Sequence, residues 1–377
     1  MITCSVITSV LGCIVTSYLF FRYTWCADLG SAQRAAVFGL FLLAGCVPLL
    51  VSYGFEKIWG RFYSFYHYAL YYIFVGCILL FTLTLVFDAL FFALSYTPLA
   101  VSFSFCLWMN YAYILLAALL AAYALYAGLR VPVVKEVLIR SEKLRYSQRL
   151  VLLSDLHLHR VVSAAKIRVI VEKTNSLKPD IILLVGDVID DDVSRISGLL
   201  EILGKLKAKN GVYFVTGNHE FYVGYSEAVG ALQKLGFRFL ENEGAAVGGI
   251  YLAGIPDFFS GKDYAKLPDV EKAFAKAVPE QFRLLMSHTP ADFGKNNGFD
   301  LEVAGHTHGG QIFPFHLLSK LHGRCLAGLY KTENGAEIYV TRGAGQWGPQ
   351  MRFLAPSEIT LINLMPMTGK KKENHEI

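Results

Sequence analysis

Charged side chains are nearly missing from the first third of this chain. Only seven Asp, Glu, Lys or Arg residues fall within positions 1–129, against 58 in the following 248. A stretch that poor in charge does not make the surface of an ordinary water-soluble domain, so it must face lipid or be buried. CxxC spacing is also lacking, and six of the seven cysteines (Cys4, Cys13, Cys26, Cys46, Cys77 and Cys106) lie scattered in the apolar part. That pattern argues against a thiolate metal site or a disulfide framework and leaves small apolar packing residues. Long basic tracts with interleaved aromatics are absent too, and the net charge is only +5. No nucleic acid is therefore expected as partner.

What the first third has instead is four charge-free runs: Ile2–Phe21, Ala36–Gly54, Phe62–Phe87 and Ala89–Leu129. Each can supply the roughly 20 apolar residues a helix needs to cross a bilayer. The expectation is an all-α membrane domain of about four transmembrane helices, at 2–21, 36–54, 66–88 and 107–129, with the lipid bilayer as partner. Trp25, Trp59 and Trp108, with Tyr23, Tyr53, Tyr63, Tyr66 and Tyr111, fall near the proposed ends, as interfacial aromatics do. A cleaved leader would explain only the first run, which has no basic residues before it. Loop charges set the orientation: with four crossings and both termini inside, eight Lys and Arg face the cytoplasm against two outside, so the domain that follows is expected to be cytoplasmic. Asp88 reads as a helix-end residue, with an intramembrane functional carboxylate as the alternative.

Residues 130–149 carry Arg130, Lys135, Arg140, Lys143, Arg145 and Arg149 among apolar positions, a basic juxtamembrane linker whose alternation suits a short strand or a surface segment along the membrane, meeting anionic headgroups or serving as a plain positive-inside anchor. From there the pattern becomes short buried strands alternating with amphipathic helices. Strands are expected at Leu150–Leu153, Ile181–Val185, Val212–Val215, Ile250–Ile255, Leu284–Met286, Leu301–Ala304, Ile338–Thr341 and Ile359–Leu364, and helices at Ala164–Ser176, Val193–Lys207 and Tyr225–Leu235. This is an α/β sandwich over 150–366 with helices outside packed sheets. The polar tail 367–377 is expected to be disordered.

Chemistry-bearing residues gather where those strands end. In order they are Asp155 and His157, Asp187, Asn218 with His219 and Glu220, His288, and His306 with His308 in Gly305-His306-Thr307-His308-Gly309-Gly310-Gln311. Loops at the carboxyl ends of strands are where α/β sheets build sites. Oxygen and imidazole donors without thiolate suit manganese, iron or zinc. So many ligands exceed what one ion needs, whereas two ions sharing a carboxylate would use them all and could clamp a phosphoryl group.

The series D-x-H, G-D, G-N-H-[DE], a lone H and G-H-x-H, all within 150–310, resembles the signature of the calcineurin-like metallophosphoesterases. The fuller run through Gln311 and Ile312, Arg342-Gly343, and the closing Pro356-Ser357-Glu358-Ile359 are similar to a membrane-attached bacterial branch. The resemblance implies a four-layer αββα sandwich and two divalent metal ions, manganese first, with iron or zinc as alternatives. It implies Asp155, His157 and His308 on one ion, Asp187 bridging, and Asn218, His288 and His306 on the other. It also implies His219 as the acid facing the phosphate, with Glu220 orienting it, and a metal-bound hydroxide as nucleophile.

The function expected is a phosphohydrolase in a bacterial inner membrane, cleaving a phosphoester or pyrophosphate, with a lipid-linked phosphate as preferred substrate. A nucleotide or cyclic-nucleotide phosphodiesterase is the alternative within the enzyme class, and a non-catalytic phospho-ligand-binding membrane protein outside it. Asp190, Asp191 and Asp192 read as a solvated helix start and His159 as exposed. Asp257 reads as a turn residue, while His316 and His322 read as core or surface. Phe258, Phe259, Phe313, Phe315, Leu317 and Leu318 are ordinary core residues or an apolar rim.

Overall fold

The computed structural model describes residues 2–24, 29–52, 62–94, 96, 103–258, 267–290, 298–322 and 325–367. Trp25, Tyr53, Trp59, Phe259 and the tail from 368 onward lie outside these, as do the side chains of Leu318 and His322. The chain forms two compact units. One comprises Met1–Arg130 with Ile312–Pro314 and Trp347–Leu354, the other Val131–Gln311, Phe315–Gln346 and Ala355–Ile377.

The first unit is helical: α1 (Ile2–Thr24), α2 (Ser31–Gly45), α3 (Val47–Ser52), α4 (Tyr63–Leu94) and α5 (Phe103–Leu129). Among the described residues three helices are long and apolar enough to cross a membrane, Ser5–Thr24, Tyr63–Leu94 and Leu107–Leu129. The run expected as a crossing at 36–54 is instead broken into α2, of 15 residues, and α3, of six. Pro48 is the physical cause. It has no N–H to donate to the carbonyl four residues back and its ring crowds that turn, so the helix stops at Gly45 and restarts with proline in the first turn.

Glycines set the spacing of α1 and α2: a Cβ on Gly12 would lie 2.5 Å from the Gly45 carbonyl oxygen, and one on Gly45 would lie 2.6 Å from the Cys13 nitrogen. Such small residues let apolar helices touch backbone to backbone. Asp88 lies inside α4, six residues before its last residue, and not at its end. Its carboxylate takes the Arg22 guanidinium at 2.8–3.2 Å and the Tyr18 hydroxyl at 2.8 Å. A carboxylate in so apolar a helix needs this pairing, since an isolated charge there would be costly. The core of the unit includes Phe74, Val75 and Leu79 of α4, Ala121 and Ala124 of α5, and the distant Ile312 and Met351. Arg352 donates its backbone N–H to the Ala124 carbonyl at 2.8 Å. A Cβ on Gly128 would meet the Gln350 carbonyl oxygen at 2.4 Å, so the 347–354 segment lies directly on α5.

The second unit holds β1 (Val133–Ser141), β2 (Gln148–Leu153), β3 (Ile181–Val185), β4 (Val212–Val215), β5 (Arg238–Phe239) and β6 (Glu243–Val247). It continues with β7 (Ile250–Gly254), β8 (Phe282–Met286), β9 (Leu301–Ala304), β10 (Gly328–Lys331), β11 (Glu337–Val340) and β12 (Glu358–Pro366). Its helices are α6 (Ala164–Ser176), α7 (Ser197–Leu203), α8 (Asn218–Val223), α9 (Tyr225–Lys234), α10 (Val270–Ala273) and α11 (Phe315–His322). The strands make two six-stranded sheets, β1-β12-β2-β3-β4-β5 and β10-β11-β9-β8-β7-β6.

Strand alternation separates the layers. Leu150 and Leu152 of β2, with Leu183 of β3, meet Leu252, Leu284 and Val303 of the other sheet. Val151, Leu153, Ile182 and Leu184 turn the other way, onto Ile167, Leu203 and Leu232 of α6, α7 and α9. Behind the second sheet, Tyr251, Leu285 and Val340 pack on Ala273 and Phe274. The result is an αββα sandwich. Within the stretch expected as a linker, with a short strand as one reading of it, residues 133–141 are strand β1, paired parallel with β12 along its whole length. Their alternation of basic and apolar positions is that of an edge strand with one face in the core, where Val137 and Ile139 lie.

Candidate metal centre

The parallel strands β2, β3 and β4 of one sheet, and β8 and β9 of the other, bring their carboxyl ends together in one unit. Asp155, His157, Asp187, Asn218, His288 and His308 are all buried there, and His306 is the exposed member. Three sets of ligand atoms converge within 4.8 Å of one another: Asp155 with His157 and His308, His157 with Asp187 and His219, and Asp187 with His288 and His306. His157 and His308 point their Nε2 atoms at each other across 3.1 Å, and His308 Nε2 lies 3.3 Å from Asp155 Oδ1. On the other side His288 Nε2 is 3.2 Å from Asp187 Oδ2, from Asn218 Oδ1 and from His306 Nδ1.

Donor separations of this size are what ligands about 2.0–2.2 Å from one cation would show. The protonation of the rings agrees: His288 donates Nδ1–H to the Val185 carbonyl at 2.9 Å, leaving Nε2 for the cluster, the usual way a ligand imidazole is oriented. The residues present therefore fit divalent cations, with Asp187 common to two sets.

The backbone is bent to achieve this. Asp155, His157, Asp187, His306 and His308 all have φ between 44° and 68°, a region non-glycine residues avoid at a cost of about 1–3 kcal/mol each. Neighbouring glycines make room: a Cβ on Gly217 would lie 2.2 Å from Asp187 Oδ1, and one on Gly305 would lie 2.6 Å from Asp155 Oδ2. Burial alone would raise the Asp187 carboxyl, but His288, His219 and His157 around it hold it well below the ordinary carboxylate range.

His219 is set apart by a carboxylate on its ring that lies outside the ligand sets. Its Nδ1 lies 2.6 Å from Asp190 Oδ1, and Asp190 Oδ2 lies 3.4 Å from His157 Nδ1. Burial disfavours the imidazolium, yet Asp187 and Asp190 overcome that and raise His219 to about 9. Glu220, expected to orient His219, does something else. Its carboxylate accepts the backbone N–H groups of Gly217, Asp187, Val188 and Ile189 at 2.7–3.0 Å. It is a brace joining the loops after β3 and β4.

Asp190 takes the place the sequence reading gave to Glu220, and it is not part of a solvated run. The signal was present: it lies three residues after Asp187, on the same loop. Of its neighbours, Asp191 pairs with Arg160 at 2.8 Å and Asp192 caps a short 3-10 turn through the Ser194 N–H. Asp257 is buried and accepts from the Thr289 hydroxyl at 2.7 Å, directly after His288. His159 is half-buried, and burial lowers its pKa. Phe258, Phe315 and Leu317 are exposed, whereas Phe313 belongs to the helical unit.

A family model described as calcineurin-like phosphoesterase matches residues 148–310, which span the strands and loops just described. An uncharacterized metallophosphoesterase of Campylobacter jejuni is 33% identical over 259 residues, covering 67% of this chain and 68% of its own length. The chain belongs to the calcineurin-like phosphoesterases. This phosphoesterase is also 38% identical over 244 residues to an uncharacterized metallophosphoesterase of Helicobacter pylori, with coverage of 64% and 66%. It is 37% identical over 270 residues to a transmembrane protein with metallophosphoesterase domain of Danio rerio, with coverage of 67% and 61%. The phosphoesterase thus spans between 61% and 68% of the length of these relatives. Its three long apolar helices and the transmembrane relative suggest membrane association.

Proposed function

We propose that the chain is a membrane-anchored, two-metal phosphohydrolase acting on a phosphoester or pyrophosphate, with Asp155, His157 and His308 holding one ion and Asn218, His288 and His306 the other. The observation that carries this reading is the place of Asp187, whose Oδ2 lies 3.7 Å from His157 Nε2 of one group and 3.2 Å from His288 Nε2 of the other. Two divalent ions held there would neutralise phosphoryl charge and lower the pKa of a water between them.

His219 is the acid of the reading. Against the effect of burial, Asp187 and Asp190 raise its pKa to about 9, and with Nδ1 held by Asp190 the ring suits protonating a leaving oxygen. Asp190 is its positioning residue, fixing the ring through Nδ1 and leaving Nε2 to face the substrate. Glu220 keeps the loops of Asp187 and Asn218 in register. Manganese is the favoured ion, with iron or zinc next, on the strength of an all oxygen and imidazole donor set.

A lipid-linked phosphate is the preferred substrate class, supported by the apolar helices, the basic residues of 130–149 and the exposed Phe258, Phe315 and Leu317. A bacterial inner membrane with the catalytic unit on the cytoplasmic side is the preferred location, supported by loop charge if α2 and α3 together make a fourth crossing.

The test is hydrolysis by the detergent-purified protein. With Mn2+ it should cleave bis-p-nitrophenyl phosphate or the monoester, and then show a preference among phospholipid, lipid-linked sugar phosphate and nucleotide substrates. No turnover with any divalent ion would favour a phospho-ligand-binding protein, and a preference for nucleotides would remove the lipid-linked substrate.

A further inference from the structure

We propose that Arg342, locked by Glu358, is a positioning residue that holds the Gly305–Gln311 loop so that His308 keeps its place beside Asp155 and His157. The inference rests on the two-metal reading of those ligands. The loop is under strain: His306, His308, Gly309, Gly310 and Gln311 all have positive φ, between 51° and 79°. The bonds within it are short-range, Thr307 N–H to the Gly305 carbonyl, Gly310 N–H to that of Thr307 and Gln311 N–H to that of His308. Three non-glycine residues in the left-handed region persist only where the surroundings over-determine them.

Hydrogen bonds from the His306 N–H to the Asp155 carboxylate and from the Thr307 hydroxyl to the Leu326 carbonyl hold the first half of the loop, and the Arg342 side chain adds a constraint on the part that follows His308. A Cβ on Gly309 would lie 3.0 Å from Arg342 Cγ, 3.2 Å from Cδ and 3.6 Å from Nε, so the arm lies against the residue that follows His308. Its far end is held by Glu358 Oε2, 2.9 Å from an Arg342 terminal nitrogen. Glu358 is itself fixed at the start of β12, 1% exposed, with Oε1 accepting the hydroxyls of Tyr339 at 2.7 Å and of Thr341 and Thr360 at 3.1 Å. The near end of the arm is also tied down. Glu358 donates its N–H to the Gly343 carbonyl, while Ala344 and Gly345 donate theirs to the carbonyls of Ser154 and Asp155, at 2.9–3.0 Å. One rigid segment therefore touches two members of the same ligand set, Asp155 through its backbone and the His308 loop through the Arg342 stem. Of the set of Asp187, His288 and His306, Asp187 and His288 lie off this loop, and His306 is on it three residues before Gly309.

The measurement is Mn2+ binding by full-length, detergent-purified protein, titrated by calorimetry and by the electron paramagnetic resonance signal of the coupled pair. R342Q keeps the stem against Gly309 and removes the cation, and E358Q removes its partner. Each should weaken one of the two ions about 10-fold to 100-fold, the range for loss of a group supporting a metal ligand, and leave the other as in wild type. The double variant should be no weaker than the weaker single one.

Wild-type affinity for both ions in either variant, equal weakening of both, or losses that multiply in the double variant would each overturn the proposal. If R342Q does not fold, Arg342→Met, which likewise keeps a stem and removes the cation, takes its place, with the same selective loss expected and wild-type binding as the contrary result. Because binding is read without turnover, a protein that shows the selective loss but hydrolyses nothing would refute the hydrolase reading and leave this one standing. Wild-type protein that holds fewer than two ions would overturn both.

Discussion

At the residue scale, the pairing of His219 with Asp190 makes the sharpest predictions. His219→Ala should lower kcat by about 100-fold to 10,000-fold, the usual contribution of a positioned acid, with both ions still bound in a metal analysis; loss of an ion would show that His219 is a ligand. Its raised pKa gives the pH dependence a sign. The imidazolium is favoured fully below the ordinary 6.5 and lost as pH rises through about 9, and bound divalent ions would pull that upper limit down. The rate should therefore fall on the alkaline side at or below about 9, and Asp190→Asn should move that limb to lower pH. Asp187→Asn should abolish turnover and weaken both ions together, whereas a variant that loses only one would deny it the bridging place. That Asp155, His157, Asp187, His288, His306 and His308 would gather in one place was legible in the sequence because each follows a buried strand. The exchange of roles between Glu220 and Asp190 was not, because sequence adjacency says nothing about which carboxylate folds back onto the backbone and which onto a ring.

At the scale of elements, periodicity found the buried strands and missed what depends on partners. Ile181–Val185 and Val212–Val215 are continuous apolar runs and needed no neighbour to be recognised. Of the nine residues of strand β1 only Val137 and Ile139 are buried, and its alternation fits a short strand or a surface segment equally until β12 supplies the other side of the ladder. The same holds for Asp88 and Arg22, which looked like helix-end and loop residues because their pairing joins positions far apart in the chain. Strand β1 yields a stability prediction: Ile139 is 2% exposed, so Ile139→Ala should cost about 2–5 kcal/mol as a core truncation, seen as a lower midpoint of denaturation. A cost below about 1 kcal/mol, the level of a surface substitution, would return 130–149 to the status of a linker.

At the scale of the whole molecule, the apolar first third was legible as long apolar helices from its lack of charge, but the break between α2 and α3 was not, because Pro48 interrupts one run without adding a charge. Illegible too was the membership of Ile312–Pro314 and Trp347–Leu354 in the helical unit, since nothing in these short segments marks them as helix-bound. Deleting residues 1–130 removes the cover from Ile312 and Met351, which are buried among α4 and α5. The remaining chain should keep its metal ligands and need detergent to stay monomeric; gel filtration in plain buffer giving a stable monomer would contradict this.

The strand order carries a consequence for synthesis. Strand β12, the last of the chain, sits between β1 and β2, the first two of the catalytic unit. A nascent chain therefore emerges with two strands that have no common partner until Glu358–Pro366 has been made, long after Leu153, and long-range closure of this kind is slow. The protein cannot complete its first sheet in the order in which it is translated, so the earliest strands wait, unpaired at their shared edge, for the final one to arrive.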